Sequence, residues 1–202
     1  MTIRVPKVPL TYPGTNETIW IDIYEQIVRE RLLLVCGMID KDLAAKITSL
    51  LLLLGEDDET ILLYLHSRGG GALSGIAIYD AMKAVKPNVY TAVMGLALSV
   101  ASLILSGGTY NKRLALRHAK IMIHQPVIAP ISGHPKLLEL EAEEMVQLRS
   151  TIADIYAKNT GKPVSVIQQD LERDKYMSAL EARNYGILDT VIEERIKDGT
   201  SE

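Results

Sequence analysis

Two hundred and two residues, 48% hydrophobic and 23% charged, make up one globular domain, which excludes a disordered or fibrous chain. The formal net charge of −3 gives no electrostatic case for nucleic-acid binding, and the single cysteine, Cys36, excludes an intrachain disulfide framework and any multi-cysteine metal site. Nine Tyr, one Trp and no Phe mean that the core has to be aliphatic.

In chain order, residues 1–18 carry Pro6, Pro9, Pro13 and Gly14 and form an extended arm, because proline lacks the amide donor that a helix or sheet ladder needs. The opening MTIRVPKVPL has neither an apolar signal core nor Arg/Ser-rich transit character. The domain proper is expected over 19–193, with a polar tail at 194–202. A short amphipathic helix is expected over 22–31, a buried strand from Arg31 to Cys36 ended by Gly37, and a helix over 40–54 with Asp40 as N-cap. Ile61 to Leu65 is the next strand, Ser67 to Gly71 a glycine loop, and Leu73 to Val85 a helix. Val89 to Met94 is a strand and Ser99 to Leu105 a helix. The span from Lys86 to Lys112 holds no charge and has the length of a bilayer span. Its Pro, Gly and Ser residues favour a strand and a buried helix inside a core. Leu114–Ala115 and Lys120 to His124 are short strands, and Pro135 to Lys158 is a long helix. Val164 to Leu171 and Ser178 to Tyr185 are short helices, the second with a Ser178–Glu181 capping box, and Ile187 to Ile192 is a last strand. Alternating strands and helices predict an α/β domain with a largely parallel sheet.

Chemistry has three candidate places. Ser99 lies where an apolar strand meets a helix, a position that fixes a nucleophile and offers unpaired helix amides to a developing negative charge. A buried serine bonded to a backbone carbonyl fits the same pattern. His124 ends the run Ile121-Met122-Ile123, where a general base would stand, although a core histidine would suit that position as well. An imidazole-orienting carboxylate could be Asp154, Asp170, Glu172, Asp174 or Asp189, and spacing does not choose among them. His66, His118 and His134 have weaker settings, and no H-E-x-x-H or paired-histidine spacing suggests a metal. The loop His66-Ser67-Arg68-Gly69-Gly70-Gly71 is neither a Walker A nor a G-x-G-x-x-G motif. Its glycines suit close backbone approach to a substrate.

Taken together, these places resemble the proteolytic subunits of the Clp protease, a family of serine peptidases, in their plastid-encoded form. The matching residues are Ser67 with Gly69-Gly70, Gly75 with Ile78-Tyr79-Asp80, Met94-Gly95 with Ala97 and Ser99, Met122-Ile123-His124-Gln125-Pro126, and Glu172-Arg173-Asp174 with Met177-Ser178-Ala179 and Glu181-Ala182. The resemblance runs from about residue 17 to residue 192. It implies a crotonase-like α/β fold with a protruding helical handle, the helix after Pro135. It carries over Ser99 as nucleophile, His124 as base and Asp174 as its orienter, with the backbone amides of Gly70 and Val100 as oxyanion donors. Tyr64 matches a tyrosine of the groove where a partner AAA+ unfoldase docks. The resemblance further implies two stacked seven-membered rings of self or sister subunits around a closed chamber, unfolded polypeptide as substrate, and the chloroplast stroma. No cofactor is implied for this chain, since ATP is spent by the unfoldase. Arg68, Leu98 and Val100 stand where relatives carry Pro, Ala and Met, and Val127 to Gly133 differs where relatives align the substrate strand. These departures motivate a second reading, a weakly active or inactive structural subunit of a mixed ring. A third, an acyl-CoA enzyme of the crotonase type, shares the fold and the oxyanion logic.

Overall fold

The computed structural model describes residues 5–11, 18–127 and 133–193. The chain begins with strands β1 (Lys7–Thr11) and β2 (Thr18–Asp22), helix α1 (Ile23–Arg29), strand β3 (Leu32–Ile39) and helix α2 (Lys41–Leu54). It continues with β4 (Ile61–Gly70), α3 (Ala72–Ala84), β5 (Val89–Leu98), α4 (Val100–Ser106), β6 (Arg113–Leu116) and β7 (Lys120–Ile123). It ends with α5 (Pro135–Thr160), α6 (Val164–Leu171), β8 (Lys175–Ser178), α7 (Ala179–Tyr185) and β9 (Thr190–Ile192).

Strands β3, β4, β5, β6 and β9 lie side by side in that order, all parallel. The period-2 pattern of β4 buries Ile61, Leu63, Leu65, Ser67 and Gly69 on one side. Helices α2, α3 and α4 pack on one another and on this sheet. Fully buried aliphatic residues such as Leu51, Ile78, Leu103 and Ile104 supply the core, each contributing about 1.5–3 kcal/mol by burial. This is the expected α/β architecture with a mostly parallel sheet. Among the described residues, no helix is long and apolar enough to cross a membrane. The uncharged span between Lys86 and Lys112 forms β5 and the buried α4 instead.

Strand β5 changes neighbours half-way along. Thr91–Val93 pair with Arg113–Ala115 of β6, whereas Leu96–Leu98 pair with Lys120–Met122 of β7. The change falls at Gly95, whose φ is +87° and where a Cβ would stand 2.6 Å from His66 Nδ1, so only glycine fits. Strand β8 closes the far side, antiparallel to β7.

Helix α5 has 26 residues and so spans about 39 Å. Its buried residues, Ile152, Ala153 and Tyr156, all lie in the C-terminal half, while Leu137, Leu140 and Val146 are exposed along the first half. Its free end therefore stands away from the core, as a handle would. Arg113, 4% exposed, ties β6 to the end of α5 and to the turn after α7. It donates to both carboxylate oxygens of Asp189 and to the carbonyls of Asn159 and Gly186.

Several local expectations differ from the structure. The arm is not unpaired: Lys7–Thr11 and Thr18–Asp22 form an antiparallel ribbon with Pro9 opposite Trp20. A two-stranded ribbon has a free edge on each strand, which tolerates the missing proline donor. Ser67 to Gly70 is not a loop but the end of β4, with Met38 opposite Gly69 and Ile39 opposite Gly70 past a register shift. Strand β3 runs through Gly37 to Ile39, and β5 through Gly95 to Leu98, because glycine at positive φ lets a ladder continue past an irregularity. Strand β8 was not expected. The Asp40 cap and the Ser178–Glu181 capping box form as expected. The polar tail at 194–202, residues 1–4 and 12–17 of the arm, and residues 128–132 lie outside the described residues.

Candidate active site

Strand β5 ends at Leu98 and α4 begins at Val100, and the residue between them has to reverse the chain. Ser99 does so with φ 57° and ψ −129°, a conformation that L residues rarely adopt and that costs on the order of 1–3 kcal/mol. Its amide donates to Met122 O at 2.9 Å, and its carbonyl accepts from the Ser102 amide at 2.9 Å. Gly69 makes room for the turn: a Cβ there would lie 2.7 Å from Leu98 O and 2.8 Å from Ser99 Cβ.

The parallel register of β5 and β7 places Leu98 beside Met122, so the residues just beyond, Ser99 and His124, emerge at the same end. Ser99 Oγ lies 2.8 Å from His124 Nε2. The antiparallel register of β7 and β8 sets Ile123 opposite Lys175, and one step further puts His124 opposite Asp174. Asp174 Oδ1 is 3.1 Å from His124 Nδ1. A carboxylate only accepts, so Nδ1 carries the proton and Nε2 is left to accept from the Ser99 hydroxyl. The arrangement has the order needed for nucleophilic catalysis: hydroxyl, base, orienting carboxylate.

The other candidate carboxylates stand away from His124. Asp189 pairs with Arg113. Asp170 accepts from Lys175 Nζ at 2.5 Å and from the Tyr185 hydroxyl at 2.6 Å, Glu172 pairs with Arg149 at 3.9 Å, and Asp154 is exposed on α5. His66 bonds to Met94 O, and His134 caps α5. No group of three or more His, Cys, Asp or Glu among the described residues is placed to hold a metal ion.

Ser99 and His124 open into a cavity of about 310 Å³, which Gly70 and Val100 also line. Val100 is the first residue of α4, so its amide has no acceptor within the helix. Gly71 donates to Ile39 O in β3, and Gly70, the last residue of β4, lines the cavity together with Ser99. Leu103, Met122, Ile152 and Tyr156 give the cavity an apolar wall, and Arg68 stands at its border. Leu98 and Val100 do not disturb this geometry: Val100 is buried, and the serine–histidine contact is of hydrogen-bond length. Tyr64 is not part of the cavity. It sits half-buried in the first part of β4, six residues and about 20 Å before Gly70.

Two residues of this region were not singled out from the sequence. Ser102 and Tyr156 are buried directly behind Ser99, with 2.8 Å between their hydroxyl oxygens. Ser102 lies one helical turn after Ser99, and Tyr156 follows Ile152 by four residues on the buried side of α5. Helical spacing from the serine and along the apolar stripe would have marked both.

The chain matches the family described as Clp protease over residues 15–195. It is 46% identical over 193 residues to an ATP-dependent Clp protease proteolytic subunit of Marchantia polymorpha, covering 95% of each chain. It is 46% identical, over 95% of this chain and 98% of the relative, to the chloroplastic ATP-dependent Clp protease proteolytic subunit 1 of Arabidopsis thaliana. A third relative of the same name, from Adiantum capillus-veneris, is 43% identical over 97% of this chain and 99% of its own. With a family match across nearly the whole sequence and relatives of this identity and coverage, the chain belongs to the Clp protease family.

Proposed function

We propose that this chain is the proteolytic subunit of an ATP-dependent Clp protease, a serine endopeptidase acting on unfolded polypeptide. The observation that carries the reading is the 2.8 Å contact between Ser99 Oγ and His124 Nε2. Ser99 attacks the peptide carbonyl while His124 takes the hydroxyl proton at Nε2. The oxyanion forms against the amides of Gly70 and Val100, and Asp174 holds the imidazolium. His124 then gives the proton to the leaving amine, and water hydrolyses the acyl-enzyme by the same route in reverse.

The chain is read as one subunit of two stacked seven-membered rings, formed with itself or with sister subunits. The exposed apolar residues of α5 (Leu137, Leu140, Val146) and of α2 (Leu52, Leu53) support contacts of this kind. A separate AAA+ unfoldase docks at the groove containing Tyr64, spends the ATP and feeds the substrate, so this chain uses no cofactor of its own. The chloroplastic relative supports a site of action in the chloroplast stroma.

Fluorophosphonate labelling of the assembled protein, read by intact mass and peptide mapping, tests the reading. One adduct on Ser99, absent from Ser99→Ala, is the expected result. Assembled protein that takes up no label would overturn it.

A further inference from the structure

The triad leaves two buried hydroxyls unused. Ser102, on the first turn of α4, is 0% exposed, and Tyr156, near the end of α5, is 1% exposed. Ser102 Oγ lies 2.6 Å from Ser99 O, 2.7 Å from Met122 O and 2.8 Å from the Tyr156 hydroxyl, which is itself 3.3 Å from Ser99 O. Each hydroxyl carries a single proton. Tyr156 can therefore donate to Ser102 Oγ while Ser102 donates to one of the two carbonyls, and each bond polarises the next. Burial pushes the Tyr156 phenol well above its ordinary range, so it stays protonated and able to donate.

The two carbonyls belong to different parts of the site. Ser99 O is in the reversed turn that carries the nucleophile. Met122 O is in β7, two residues before His124, and already accepts the Ser99 amide. Ser102 Oγ thus stands between the serine's turn and the histidine's strand. A residue at positive φ relaxes unless its surroundings hold it, and rotation of the Ser99 peptide would carry Oγ away from Nε2.

From this geometry we infer that Ser102 and Tyr156 are positioning residues, a hydroxyl relay that holds the nucleophile's turn against the base-bearing strand and ties both to helix α5. The inference rests on the reading of Ser99 and His124 as nucleophile and base. Ser102 does not line the catalytic cavity, so its effect cannot come from touching substrate.

The test compares wild type, Ser102→Ala, Tyr156→Phe and the double variant as assembled protein. Both substitutions remove a hydroxyl with little change of shape. The readouts are the rate of fluorophosphonate labelling at Ser99, kcat and KM on a short fluorogenic peptide, and amide exchange of the peptide that carries Ser99. Ser102→Ala is expected to lower the labelling rate and kcat on the order of tenfold to a hundredfold with KM unchanged. The double variant should be slower than Ser102→Ala by less than Tyr156→Phe alone costs, because both hydroxyls act on the same carbonyl of Ser99. Wild-type rates in Ser102→Ala, or losses that multiply in the double variant, would overturn the relay. If wild type itself takes no label, the proteolytic reading fails separately. The relay is then decided by exchange at Ser99, which speeds up in Ser102→Ala if the relay holds the turn and stays unchanged if it does not.

Discussion

Ile123 and Lys175 face each other across the antiparallel pair β7 and β8, and this register brings Asp174 to His124. Parallel pairing of β5 with β7 brings the serine, and antiparallel pairing of β7 with β8 brings the carboxylate. The imidazole is thus held at both ring nitrogens through two backbone registers, one parallel and one antiparallel.

Asp174→Asn should leave the fold intact and lower turnover on the order of 10⁴-fold, because an amide favours the wrong imidazole tautomer. Peptidase assays with a circular dichroism control check this. Turnover within about tenfold of wild type would remove Asp174 from the orienting role.

Gly69→Ala should be severe for a different reason. Its Cβ would come within 2.8 Å of Ser99 Cβ at a φ of +93°, so either the turn or the strand must move. A displacement of about 1 Å costs on the order of a hundredfold in rate. The expected outcome is folded protein with little Ser99 labelling.

Asp189→Ala should destabilise the chain by about 3–5 kcal/mol, since it leaves the guanidinium of Arg113 buried and unpaired. Denaturant unfolding measures this. The wild-type pH dependence follows from the same pair. Burial alone would raise the Asp189 carboxyl, but hydrogen bonds from the Arg113 side chain and backbone, together with its charge, outweigh this and hold it below the usual carboxylate range. A depressed folded value means that the stabilisation is full above the unfolded pKa of about 3.9 and is lost as pH falls through the lower folded value. Acid unfolding should therefore begin earlier in wild type than a carboxylate-independent fold would allow, and the pH slope should shrink in Asp189→Ala.

Cys36 lies at the surface, yet partial burial pushes its thiol up, leaving less thiolate at neutral pH than in a free cysteine. Alkylation by iodoacetamide should be slower than for a free thiol in the same buffer. An equal or faster rate would refute this.

The alternation of apolar runs made the parallel sheet legible, and small residues around an apolar junction made Ser99 legible. The choice among five carboxylates was not, because it depends on β8. That strand is only four residues, Lys-Tyr-Met-Ser, with one buried side chain, Met177, and it carries no apolar run to announce it. Ser67 to Gly70 misled for a related reason. Consecutive glycines suggest a turn, but here they continue a strand that must pass close to Ser99 Cβ. Pro9 suggested an unpaired arm because its missing donor was weighed without the free edge of a two-stranded ribbon.

Gly95 divides β5 between two neighbours, and the division has a consequence for what the fold can host. Where one strand is shared by two diverging partners, the sheet splits, and an opening at the carboxyl ends follows from topology rather than from side-chain choice. The cleft is therefore cheaper to keep than the chemistry inside it. Ser99, His124 and Asp174 could each be exchanged while the fork remained, so the same scaffold could carry other reactions at the same address.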